Sequence, residues 1–233
     1  MELSGARIMV TGATGVLGGK IAARLARAGA RLAVAGRNED RLQQASRACE
    51  AVAAITFDAG DPDSCTRAVE DAAVALGELD GLVVAHGVAA FGDATEVSNA
   101  IAGQVLIVNA LAPMALARAA LPHLVRGGTI AVVSAVLADY PTAGMSDYSA
   151  SKGAVSTWLS ALRRETRRLR ITVCDLRPPH MDTGLADRAL AGVAPNLPPA
   201  HDSDEIADEI VNALRRGATE LFYDPSAQLV QTR

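Results

Sequence analysis

Tyr148 and Lys152 stand four residues apart in Tyr148-Ser149-Ala150-Ser151-Lys152. In a helix that spacing puts both side chains on one face, a turn from each other. A phenol ordinarily ionises near pH ~10, so at neutral pH it is a poor base and a slow acid; an ammonium beside it stabilises phenolate and lowers that value. The pair is therefore expected to pass a proton to or from a substrate oxygen. The same spacing also arises where a helix merely carries Tyr and Lys on its surface. Lysine usage distinguishes this pair: of 22 Lys and Arg residues only Lys20 and Lys152 are lysines, and the other 20 are arginines. A compact three-donor ammonium is not replaced by a guanidinium fork.

A second group of residues is suited to phosphate. Gly12, Gly15 and Gly18 are spaced three apart in Thr11-Gly12-Ala13-Thr14-Gly15-Val16-Leu17-Gly18, between an apolar run and a helical pattern. Glycines there let backbone N–H groups of Thr14 to Leu17 and the helix N-terminus approach a pyrophosphate. The end of the next apolar run selects the cofactor. An acidic residue would bond a ribose 2′-OH, but the chain has Gly36 and then Arg37. Glycine leaves room and the guanidinium can take a 2′-phosphate, so NADP(H) is favoured over NAD(H).

These residues need a scaffold that brings them to one edge. Apolar runs at Ala6–Val10, Arg31–Ala35, Ala53–Phe57, Leu82–Ala85, Thr129–Val133 and Ile171–Leu176 predict six strands, with a possible seventh at Glu220–Tyr223. Helical patterns fall between them, at Leu17–Ala28, Glu39–Ala51, Pro62–Leu76, about Thr95 to Leu121, Asp147–Leu169 and Asp204–Arg215. Asp61 is the expected N-cap of the third helix, and the fourth is expected to bend near Pro113. Continuous rather than alternating apolar strands imply a sheet covered on both faces. The expectation is an α/β, doubly wound parallel sheet of about seven strands, one domain over residues 1–233, with ligands outside the carboxyl ends of the strands.

Composition narrows the function classes. A net charge of −4 and a pI of about 5.6 give no nucleic-acid footprint. Cys49, Cys65 and Cys174 are odd in number and scattered, which makes neither a disulfide framework nor a metal spacing and fits a reducing cytoplasm. His86, His123, His180 and His201 lack ligand spacing, so no metal is expected. No signal-peptide pattern opens the chain. The uncharged run Ala100–Ala117 falls short of the roughly 20 strongly apolar residues of a membrane span, so it is read as a buried helix.

Taken together these residues resemble the short-chain dehydrogenase/reductase family over nearly the whole chain, from Thr11 to at least Thr183. Tyr148 and Lys152 match its Tyr-x-x-x-Lys, Ser134 its active-site serine, and Asn109 the asparagine of its fourth helix. Asp58, followed by Ala59, matches the acidic residue that contacts the adenine, and Thr183 the threonine at the nicotinamide end. The chain departs from the pattern in several places, among them a tail, Leu221 to Arg233, without the family's common Asp-Gly-Gly. Its glycine spacing is the one seen in the family's long epimerase and dehydratase branch, whereas its length suits the compact branch. The usual Asn-Asn-Ala-Gly is Val84-Ala85-His86-Gly87, leaving the backbone of Ala85, His86 and Gly87 to line the cofactor. The usual Pro-Gly is Pro178-Pro179.

The resemblance implies hydride transfer between nicotinamide and a carbonyl or alcohol carbon. In that scheme Tyr148 is general acid or base, Lys152 lowers its pKa and bonds the nicotinamide ribose, Ser134 bonds the substrate oxygen, and Asn109 holds a proton-relaying water. The expected activity is an NADP(H)-dependent ketoreductase on a small-molecule substrate, with specificity in residues 88–98, 136–147 and a loop at 184–200. A homo-oligomer, dimer or tetramer, is expected. A non-enzymatic NADP(H) sensor or scaffold, and a nucleotide-sugar epimerase or dehydratase, remain as alternatives.

Overall fold

Five of the eight strands are runs of Val, Leu, Ile and Ala with almost no exposed position, and such strands are stable only inside a parallel sheet with helices on both faces. The computed structural model, which describes residues Met1–Arg233, has that arrangement. In chain order the elements are β1 (Arg7–Thr11), α1 (Val16–Arg27), β2 (Arg31–Gly36), α2 (Glu39–Ala48), β3 (Ala53–Thr56), α3 (Pro62–Leu76), β4 (Leu79–Val84), α4 (Asn99–Leu106), α5 (Ala112–Ala120), β5 (Leu124–Val133), α6 (Ser146–Glu165), β6 (Thr172–Arg177), α7 (Ser203–Arg216), β7 (Glu220–Asp224) and β8 (Leu229–Thr232). The sheet order is β3-β2-β1-β4-β5-β6-β7-β8. All pairings are parallel except β7 with β8. Two apolar clusters of 26 and 25 buried residues lie on opposite faces, so neither side of the sheet is open to water. The chain winds outward in both directions from between β1 and β4, and the strand ends at that switch point form the crevice.

The sequence-based expectations fare differently from element to element. Asp61 caps α3 as expected, its side chain accepting from Asp63 N–H. The sheet has eight strands rather than about seven. The eighth is a short antiparallel strand carrying Leu229 and Val230 between polar residues, too weakly patterned to stand out. Strand β5 begins at Leu124, not Thr129. Gly127 (φ +89°) and Gly128 sit within it rather than in a turn before it, where the β4–β5 register shifts.

The long apolar helix begins at Asn99, after the Ser98 N-cap, and runs through a π-turn at Ile107–Leu111 into α5. The irregularity precedes Pro113 rather than falling on it. Proline lacks the N–H that would bond the carbonyl of residue 109 and its ring crowds that carbonyl, so the widened turn absorbs the conflict. The continuous stretch Asn99–His123 spans 25 residues at mean hydropathy 1.8. That corrects the reading that this segment is too short or too polar to cross a membrane: by length and composition it is long and apolar enough. Its buried side chains, Val105, Asn109, Leu116 and Ala120 among them, pack against α3 and α6.

Candidate functional site

The crevice is a continuous cleft of about 930 Å³ running from the α1 N-terminus and the β2 end to the loop after β6. Gly12, Thr14, Gly15, Val16, Leu17, Gly18, Arg37, Asp58, Ala59, Ala85, His86, Gly87, Ser134, Tyr148, Lys152 and Thr183 all line it, so the fold brings the expected residues to one place. Asn109 does not reach the cleft with its side chain.

At the phosphate end the three glycines divide their work. Gly12 takes φ +74°, and a Cβ there would stand 2.6 Å from His86 N. A Cβ on Gly18 would collide with the Gly12 carbonyl. Both are required by chain packing against chain. Gly15 has ordinary extended angles (φ −86°, ψ 165°) and a Cβ there would meet only Gly12 O, at 3.3 Å. Gly15 is thus the one whose missing side chain leaves space for a ligand. Gly36, which also lines the cleft, is required by packing within the chain, since a Cβ there would press on the Thr14 methyl at 3.0 Å. Arg37 stands exposed beside it, and Arg41 reaches back to donate to Thr14 O at 2.8 Å. Arg41 is not among the residues that the sequence motifs point to. Its signal was an arginine three residues after the Asn38 cap, in the first turn of α2. A cradle open at Gly15 and a helix N-terminus fit the pyrophosphate of a dinucleotide.

At the middle of the cleft the imidazole of His86 is engaged with Thr11. The residue is half-buried; Nδ1 pairs with Thr11 Oγ1 at 2.9 Å, and Nε2, shut off from solvent, has no partner. Burial, with the Lys152 charge nearby, pushes its pKa down to about 4. Above pH 6.5 both folded and unfolded chains carry a neutral imidazole; between about 4 and 6.5 the unfolded chain binds the extra proton. Stability should therefore be lost on acidification across that window, by roughly 3 kcal/mol from this group. Urea midpoints at pH 4.5 and 7 should converge in His86→Asn, which keeps a partner for Thr11; equal acid sensitivity in both proteins would refute this origin.

At the chemical end the structure differs from expectation in three respects. Asn109, held by the π-turn, spends its amide on the chain: Oδ1 accepts from Val88 N at 2.9 Å, and Nδ2 donates to Val88 O at 2.8 Å and Ser151 Oγ at 3.1 Å. Its side chain therefore clamps the loop after β4 to α6. Lys152 Nζ donates to Val133 O at 3.0 Å and stands 5.8 Å from the Tyr148 ring centre. Burial lowers Lys152 to about 8, opposed by the charge of Asp175, while burial pushes Tyr148 up to about 12. Proximity to Lys152 does not lower the phenol here; desolvation dominates. Finally, Ser134 Oγ, 2% exposed, donates to the carboxylate of Asp175. No sequence signal marked Asp175, which lies inside an apolar strand.

Apolar residues close the substrate side. Phe91, Ala135, Met145 and Tyr148 form a small buried cluster covered by Leu137, Leu185 and Leu197. The loop at 184–200, with one short helical turn at Ala186–Arg188, is strapped across it. Leu190 N donates to Ala89 O at 2.8 Å and Phe91 N to Ala191 O at 2.9 Å.

The family model described as "short chain dehydrogenase" matches residues 6–193. The chain is 33% identical to the hydroxysteroid 11-beta-dehydrogenase 1-like protein of Gallus gallus, over 95% of this chain and 79% of that one. It is 28% identical to dehydrogenase/reductase SDR family member 7B of Mus musculus, over 91% and 71%. Among solved structures, a short chain dehydrogenase from Burkholderia cenocepacia in complex with NADP superposes with a TM-score of 0.82 at 31% identity, covering 92% of each chain.

Proposed function

Because this chain belongs to the short-chain dehydrogenase/reductase family, we propose that, within the carbonyl/alcohol redox chemistry of that family, it is an NADP(H)-dependent ketoreductase acting on a predominantly apolar carbonyl compound. The observation that carries this reading is the convergence of Ser134, Tyr148 and Lys152 at the carboxyl edge of the sheet, between an arginine-flanked phosphate cradle and an apolar chamber. A nicotinamide held there supplies or removes the hydride. Tyr148, kept protonated by burial, is the acid that delivers a proton to the carbonyl oxygen. Lys152 has donors left beyond its bond to Val133 O, and these suit a ribose hydroxyl. Asp58 and Thr183 line the same cleft, which supports a part for each in orienting the cofactor.

The preference for NADP(H) rests on Arg37 and Arg41. The steady-state test is a screen of apolar ketones with both coenzymes. Turnover should be faster with NADPH, and Arg37→Ala should raise the NADPH KM roughly tenfold or more while leaving NADH little changed, as loss of one charge-assisted bond requires. Tight NADPH binding with no turnover of any ketone or alcohol would favour the sensor reading instead. Leu106 and Leu111, exposed along the α4–α5 side, support a homo-oligomer, and three buried free cysteines support a reducing, cytoplasmic setting.

A further inference from the structure

Asp175 is 1% exposed and lies in mid-strand in β6, opposite Val132 of β5. A carboxylate so placed must be paired and hydrogen-bonded. Its Oδ1 accepts from Ser134 Oγ; its Oδ2 accepts from Ser156 Oγ at 2.5 Å and from Arg177 Nη1 at 2.6 Å. Arg177 is itself held by Glu220 at 3.0 Å and faces Asp139 at 2.8 Å. Both oxygens of Asp175 are taken up as acceptors, one of them by the guanidinium, and a carboxylate paired with a guanidinium only accepts. The other neighbour of Ser134 Oγ is Leu176 O, at 3.3 Å, which also only accepts. The single proton of Ser134 is therefore committed to the chain, and what its oxygen has left to offer the cleft, which Ser134 lines, is a lone pair.

We propose that Asp175 is a positioning residue that fixes the Ser134 hydroxyl as an acceptor toward the substrate, so that the site grips the hydroxyl of an alcohol more firmly than the oxygen of a ketone. This rests on the oxidoreductase reading above. A ketone oxygen has nothing to donate and meets Ser134 lone pair to lone pair; an alcohol donates to it. An enzyme leaves the overall equilibrium unchanged, so the preference is read in binding and in KM, with kcat compensating.

Asp175→Asn reverses the arrangement in a predictable sense. Ser156 and Arg177 both donate to the outer oxygen, so the amide turns its carbonyl to them and its NH₂ to Ser134. Ser134 then accepts from the amide and its own proton turns to the cleft. Cyclohexanol bound to the NADPH-loaded protein and cyclohexanone bound to the NADP⁺-loaded protein, two complexes that cannot react, provide the readout. In the unaltered protein the alcohol should bind more tightly. In Asp175→Asn the ratio of the two dissociation constants should shift roughly tenfold or more toward the ketone, the scale of one hydrogen bond gained and one lost. In a Ser134→Ala background the same change should move the ratio by less than about twofold, the spread expected when no shared partner remains. An unchanged ratio, or the same shift without Ser134, overturns the proposal. Neutron diffraction from deuterated crystals of the unaltered protein decides it without ligand: a deuteron on Ser134 Oγ directed to Asp175 is expected, and one directed into the cleft overturns it even if Asp175→Asn fails to fold. A protein that neither binds nucleotide nor turns over ketones, yet shows that deuteron, refutes the enzymatic reading and leaves the Asp175 arrangement standing.

Discussion

Replacing Tyr148 by phenylalanine should lower ketone reduction by about 10²–10⁴-fold, the range ascribed to a positioned general acid, with NADPH affinity within about twofold of the original. The ring is buried and its hydroxyl makes no hydrogen bond within the chain, so removing one oxygen leaves packing intact. Stopped-flow binding of NADPH and steady-state turnover separate the two effects; normal turnover would remove Tyr148 from the chemistry. The pH profile provides a second check. Tyr148, raised to about 12, stays protonated across the working range, so its own ionisation should not limit reduction near neutrality. Lys152, lowered to about 8, carries charge below that value and loses it above. Reductive kcat/KM should be level below pH ~8 and fall above it, and Lys152→Ala should abolish that limb.

Much of this site was legible as spacing. Tyr148 and Lys152 need only the helical repeat to meet, and the glycines of residues 12–18 need only a strand before and a helix after. What the sequence could not display was pairing across the sheet. Ser134 and Asp175 are 41 positions apart, and they meet because Val133 pairs with Leu176 in the β5–β6 ladder. Nothing in Thr172–Arg177 signals that register, and Asp175 in an apolar strand reads as a misplaced charge. The π-turn was equally hidden. Pro113 announced a disturbance, but whether it bends the helix or widens the turn before it depends on what Asn109 finds to bond, and that partner is the backbone of Val88. Asp175 also bears on Lys152, where its charge opposes the desolvation that lowers the ammonium. The acid, the substrate-facing serine and the lysine thus share one electrostatic neighbourhood that no single motif contains.

The glycine loop shows how one motif can hold two separable functions. Gly12→Ala must place a Cβ 2.6 Å from His86 N, next to the Ala85 carbonyl, at φ +74°. The left-handed backbone costs about 1–3 kcal/mol for a residue with a side chain, and overpacking against fixed backbone about 1–3 kcal/mol more. The sum, roughly 2–6 kcal/mol, is a large share of the stability of a domain, and in a chain of this size it should lower Tm by roughly 4–24 °C, each kcal/mol shifting it by about 2–4 °C. Gly15→Ala meets neither obstacle. Its angles suit any residue, and its one tight approach, to Gly12 O at 3.3 Å, needs only a small shift of that carbonyl, so Tm should move by only a few degrees. Its methyl group nevertheless projects at the helix N-terminus where a pyrophosphate must approach the backbone, and NADPH affinity should fall at least tenfold. Thermal melts with and without NADPH distinguish the two variants. If Gly15→Ala melted early in the absence of nucleotide, or if Gly12→Ala kept full stability and lost only affinity, the division of labour along the loop would be wrong.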